Sequence, residues 1–211
     1  MARFFFVDPE RLLGKLILQY PIELRFKLMS FAQRITARDA TGQELLHIKQ
    51  KMFKFKEQVE IYRDSTQKQL LFRIAADRML DFSANYSFTD AQGNAWGGVR
   101  RRGMRSLWAA HYDVLQEGVV DMKIQEESPF KKVLESLLGE IPLVGLIAVY
   151  LLNPSYLVTS PTGEPLLRLT KKPAIFEGKF MLEKLSDIPE DDELRSLLAL
   201  VMVVLLERDR G

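Results

Sequence analysis

Cysteine is absent from all 211 residues. Without a thiol there can be no disulfide staple, no thiolate zinc site and no cysteine nucleophile, and the chain is expected in a reducing compartment such as the cytoplasm. Histidine is nearly as scarce. His47 and His111 are the only two, too few for a His-rich metal centre, and no Gly-x-Ser-x-Gly elbow accompanies them. No phosphate-cradling glycine loop or dinucleotide fingerprint occurs either, so no cofactor is expected. An excess of one charge is also missing: 30 Lys and Arg stand against 28 Asp and Glu, a net of +2. So small a net charge gives no general attraction to nucleic acid, and none is expected as a partner.

Long apolar runs are missing too. The opening has only Phe4 to Val7 before Asp8, without the apolar core and small-residue cleavage site of a secretory signal. Ile141 to Leu152 is interrupted by Pro142 and Gly145, and Leu197 to Leu206 is ten apolar residues. A spanning helix needs about 20, and runs of about 10–14 are more often buried core, so no transmembrane segment is expected.

What the chain does have is ordinary globular stock, 47% hydrophobic and 27% charged, organised as a repeat. Three units place a turn between apolar strands: Ile35 to Gly42, Tyr86 to Gly93, and Tyr156 to Gly163. Six residues after each glycine comes an apolar position (Ile48, Val99, Leu169), and each unit then reaches another alternating strand. Asp39, Asp90 and Ser160 suit the start of a turn because their side-chain oxygens bond the backbone ahead. The glycines can supply a left-handed conformation. Val59 and Ile61 alternate with Gln58 and Glu60, as Leu70, Phe72 and Ile74 alternate with their neighbours, which reads as half-buried strand. The alternation gives ten to twelve strands. A sheet that long must close or fold over to avoid open edges.

One segment breaks the period. Ser186 or Asp187 can cap a helix, Pro189 suits its first turn, and Glu190 to Glu193 favour its positive end. Leu194 to Leu206 would span only about 20 Å at 1.5 Å per residue. That is short for a bilayer but suits the bore of a barrel. A shorter helix is expected from Ser128, with Phe130, Val133, Leu134, Leu137 and Leu138 on one stripe, and another near Asp8.

Phe26 to Phe31, the run from Ile35 through Met52 to Phe55, Glu60 to Tyr62 and the apolar helix closing on Glu207-Arg-Asp-Arg210 together resemble the LURP-one-related family. That family is grouped with the Tubby C-terminal domain and the phospholipid scramblases. The resemblance runs from about residue 22 onward and implies a twelve-stranded antiparallel barrel threaded by the helix. The expected fold is therefore mainly β, one domain over residues 1–211 with a helical insertion at about 118–153. Tubby domains bind phosphoinositide headgroups, and scramblases are membrane-attached and calcium-responsive. This chain has neither the cysteine cluster nor the proline-rich leader of scramblases, and no functional residue is carried over.

Among candidate sites the densest is Arg100, Arg101, Arg102 and Arg105, flanked by Trp96 and Trp108. Arg forks match phosphate oxygens in pairs; the plainer alternative is a solubilising hairpin tip. Strand alternation should turn Arg101 away from Arg100 and Arg102. Lys49, Lys51, Lys54 and Lys56 make a second, alternating set. His111 and Asp113 share a strand face, as an acid–base pair or as a structural contact. Asp39, Asp64 and Asp90 lack the alternating oxygen ligands of a calcium loop and read as turn residues. Two function classes follow. One is a non-enzymatic binding module for anionic phospholipid headgroups or a membrane surface, peripheral to the membrane, with the four arginines as its ligand-binding residues. The other is an enzyme or small-ligand carrier using a cleft near the insertion, with a protein-interaction scaffold as a third possibility. A basic exposed rim favours the first, and an apolar pocket beside His111 favours the second.

Overall fold

The computed structural model describes residues 16–27, 34–52, 57–77, 85–102, 111–127, 154–174 and 177–208. Twelve strands follow one another as an up-and-down meander. They are β1 (Ile22–Lys27), β2 (Arg34–Arg38), β3 (Glu44–Met52), β4 (Glu57–Tyr62), β5 (Leu70–Ala76) and β6 (Asn85–Asp90). The second half is β7 (Ala95–Arg101), β8 (His111–Gln116), β9 (Val119–Glu126), β10 (Ser155–Thr159), β11 (Pro165–Lys172) and β12 (Glu177–Lys184). Each pairs antiparallel with its neighbours in sequence, and β1 pairs with β12, from Ile22 against Leu182 to Lys27 against Glu177. The sheet is thus a closed barrel of twelve strands, with no sheet edge to protect. The expected fold class stands.

The turn chemistry is what the repeat implies. Asp39 Oδ1 accepts the backbone N–H groups of Thr41 and Gln43, and Asp90 Oδ1 those of Gln92 and Asn94. Ser160 Oγ accepts from the Glu164 N–H. The glycine of each turn takes a positive φ: 86° at Gly42, 90° at Gly93 and 93° at Gly163. These turns join β2–β3, β6–β7 and β10–β11, four strands apart, so the barrel is three rounds of a four-strand unit.

The turns at 39–43, 63–69, 91–94, 117–118 and 160–164 lie at one end of the barrel, the turn end. The other connections leave the opposite, far end. From the turn end a single described helix, α1 (Glu190–Arg208), enters the barrel. The Pro189 carbonyl accepts the Glu193 N–H, 2.9 Å, and starts it. Ser186, expected as a cap, instead donates its hydroxyl to the Pro165 carbonyl, 2.8 Å, because the helix begins farther along. From Leu194 to Leu205 every residue of α1 is buried, whichever way it points. Inward-facing residues of the surrounding strands, such as Leu24, Ile48, Phe88, Val114, Val158 and Leu182, are buried as well. A helix covered on all sides must be enclosed. It fills the bore.

Two expectations fall outside this description. Residues 128–153, which carry the proposed insertion helix, and the segment around Asp8 lie outside the described residues. The first part of the span at 118–153 is strand β9 of the barrel.

Candidate functional site

The helix is not centred in the bore; it runs closest to β7 and β8. The reason is Gly97, in the interior of β7, whose φ is +118°. A Cβ there would stand 2.4 Å from the Leu115 carbonyl oxygen and 3.0 Å from Arg195 Cδ. Glycine in a strand often marks such a close approach. Into that space comes Arg195, whose side chain is 4% exposed. Its Nε donates to the Trp96 carbonyl, 3.2 Å, and its Nη1 to Asp121 Oδ2, 2.8 Å, and Asp192 Oδ1, 2.7 Å. Arg195 therefore ties the first turns of α1 to β7 and β9. Beside it the Ser196 hydroxyl donates to Met122 Sδ, 3.1 Å. Nearby at the turn end, burial and the adjacent Glu193 carboxylate push the Tyr20 phenol well above its usual pKa.

At the far end the register separates the arginine cluster. Gly97, Val99 and Arg101 form the inward row of β7, with Val99 opposite Val114 and Arg101 opposite Tyr112. Glu126 of β9, paired with Tyr156, and Lys171 of β11, paired with Phe180, fall on the same inward row. Helix α1 rises about 28 Å over its 19 residues toward this far end.

Arg100 and Arg102 lie on the outward row. Arg100 Nη2 stands 3.1 Å from Asp113 Oδ2, and Arg102 Nε 2.7 Å from Oδ1 of the same carboxylate. Asp113 is 1% exposed, whereas the two guanidiniums are about half exposed, at 44% and 56%. The hydrogen bond and charge of Asp113 raise the Arg102 pKa above its already high value. Exposed Lys123 of β9 is the register partner of Asp113 on its other side. One buried anion thus holds two cations, with a third on the neighbouring strand of the same outer face. His111 shares that face, but the Asp113 carboxylate is held by the arginines. Arg105 lies outside the described residues.

The two described lysines of the second basic set are engaged. Lys49 Nζ donates to Gln67 Oε1, 3.2 Å, and Lys51 Nζ to Glu60 Oε1, 2.6 Å; Lys54 and Lys56 lie outside the described residues. Burial alone would raise the Glu60 carboxyl, but hydrogen bonds from Lys51 and the Tyr62 hydroxyl outweigh it, and the pKa falls below its usual value. A carboxylate lowered in the folded state stabilises above its unfolded pKa, about 4.3. It loses that contribution as pH falls through the folded value. Glu60→Gln should therefore lower stability at pH 7 and lower it less at pH 3, as read from urea midpoints. An equal deficit at both pH values would contradict the pairing.

Among the described residues no group of three His, Cys, Asp or Glu side chains could hold a metal ion, and no helix is long and apolar enough to cross a membrane.

The family model described as LURP-one-related matches residues 44–138, from β3 through β9 and beyond. Over that stretch, a little under half of its length, the chain is similar to the LURP-one-related family. No curated protein and no solved structure matches it. The matched stretch contains Gly97, Arg100, Arg102, Asp113, Asp121 and Lys123. It therefore holds the outer cation cluster and the strand side of the Arg195 contact. The remaining strands and α1 complete the barrel from outside the match.

Proposed function

We propose that this barrel is a non-enzymatic binding module that meets anionic phospholipid headgroups with the outer face of β7–β9. The observation that carries the reading is Asp113: a buried carboxylate holding two half-exposed guanidiniums side by side. Two adjacent arginines repel each other. The buried carboxylate offsets that repulsion and fixes their direction, while their remaining N–H donors stay available for phosphate oxygens. The superfamily resemblance read from the sequence points the same way. The non-enzymatic part rests on the absence of any nucleophile–base motif in the sequence and on the engagement of Asp113 by arginine rather than by His111. Attachment of this kind is peripheral.

A basic residue near an anionic leaflet contributes on the order of 1 kcal/mol. Arg100, Arg102 and Lys123 less Asp113 leave two charges, so roughly 2 kcal/mol, or about thirtyfold preference over neutral membranes. The test is co-sedimentation with phosphatidylcholine vesicles carrying graded phosphatidylserine. Lys123→Gln and the pair Arg100→Gln/Arg102→Gln should each weaken binding to anionic vesicles, and added salt should weaken wild-type binding. Because the pair change leaves Asp113 buried alone, Arg100→Lys/Arg102→Lys serves as the charge-preserving control. Equal sedimentation with neutral and anionic vesicles would sink the reading.

A further inference from the structure

We propose that the barrel is electrically polar along its axis and that this polarity orients it on an anionic phospholipid surface, far end leading and turn end pointing away. This rests on the headgroup reading above and adds the pose. At the turn end exposed Glu117, Glu164, Asp187, Glu190 and Asp191 outnumber exposed Arg38 and Lys68, and α1 begins with four consecutive acidic residues. At the far end Arg34, Arg100 and Arg102 are exposed and Lys172 is half-buried, against exposed Asp77 and Glu177. Two of the far-end carboxylates are offset by cations: Glu127 lies 3.1 Å from Arg168 Nη2, and Glu177 lies 3.8 Å from Arg25 Nη1.

The separation of the ends decides whether the two charges cancel. Helix α1, which runs from one end to the other, rises about 28 Å. Exposed charges are screened over about 8 Å at physiological ionic strength. A lipid surface touching the far end therefore feels little of the acidic end. In the inverted pose the carboxylates would lie against lipid phosphates and be repelled.

The absence of cysteine makes single-site labelling clean. Val119→Cys marks the turn end, where Val119 is 69% exposed, and Ala174→Cys marks the far end, between β11 and β12, where Ala174 is exposed. Each is labelled with a fluorophore and mixed with phosphatidylcholine vesicles, with or without phosphatidylserine, carrying a headgroup-attached quencher. The expected result is severalfold stronger quenching at position 174 than at 119, on phosphatidylserine vesicles only. Changing Glu117→Gln, Asp187→Asn and Asp191→Asn together should reduce that contrast. Equal quenching at the two sites, or stronger quenching at 119, overturns the orientation while leaving the headgroup reading standing. If neither labelled protein sediments with phosphatidylserine vesicles, both fall together.

Discussion

Leu200→Asp should yield no cooperatively folding protein. Leu200 is fully buried midway along α1, with Leu197, Val201 and Val203 buried around it. An unpaired carboxylate in such a place costs several kcal/mol, against a total stability of about 5–15 kcal/mol for a typical domain. Truncation before Leu194 should be at least as damaging, since it empties the bore of the barrel. Leu200→Met, which nearly conserves volume, should cost less than about 1.5 kcal/mol and serves as the control. Thermal melting and size-exclusion chromatography read the outcome. A truncated chain that stayed monomeric with an unchanged cooperative melt would show that the helix does not fill the barrel.

Arg195→Met should produce the next largest loss. Methionine keeps much of the apolar stem but removes every donor, leaving the Trp96 carbonyl, Asp121 and Asp192 without their partner. Breaking a buried pair from one side costs about 3–5 kcal/mol. The two carboxylates are about a quarter exposed and regain water, so the low end, about 3 kcal/mol, is expected. For a chain of this size that corresponds to a fall in Tm of roughly 10 °C. Adding Asp121→Asn to Arg195→Met should cost less than the sum of the two single changes. Strict additivity would mean that Arg195 and Asp121 do not interact.

The barrel was legible because its information is local. Alternation in β4, β5 and β9 and the turns at Asp39, Asp90 and Ser160 need only a few consecutive residues each, and their threefold recurrence reinforced one another. The helix was legible from an unbroken apolar run too short for a membrane. What stayed hidden depends on residues far apart in sequence. Reading the helix as an apolar rod passed over Arg195 and Ser196, because nothing near them in the chain announces Asp121 or Met122. The one local signal was Gly97-Gly98 in the interior of a strand, a mark of close approach that could have prompted a search for its visitor. The arginine cluster was half legible. Alternation correctly set Arg101 apart from Arg100 and Arg102. That Asp113 would be shared by those two, rather than paired with His111, required the register of β7 against β8.

The closure of β1 against β12 has a consequence for the order of assembly. A chain made from its N-terminus produces β1 first, and that strand must wait for the twelfth before one of its two edges is paired. The element that fills the interior comes later still, since α1 follows β12. Eleven consecutive hairpin contacts can form as synthesis proceeds, but they enclose nothing until the helix arrives. Bringing β1 to β12 also requires closing a loop of most of the chain, an entropic cost that slows folding in proteins dominated by distant pairings. Until then the inward faces of the strands are apolar and exposed, which is the condition under which nascent β-proteins aggregate and chaperones are needed. The barrel is therefore a structure that becomes stable all at once, after its helix has been made.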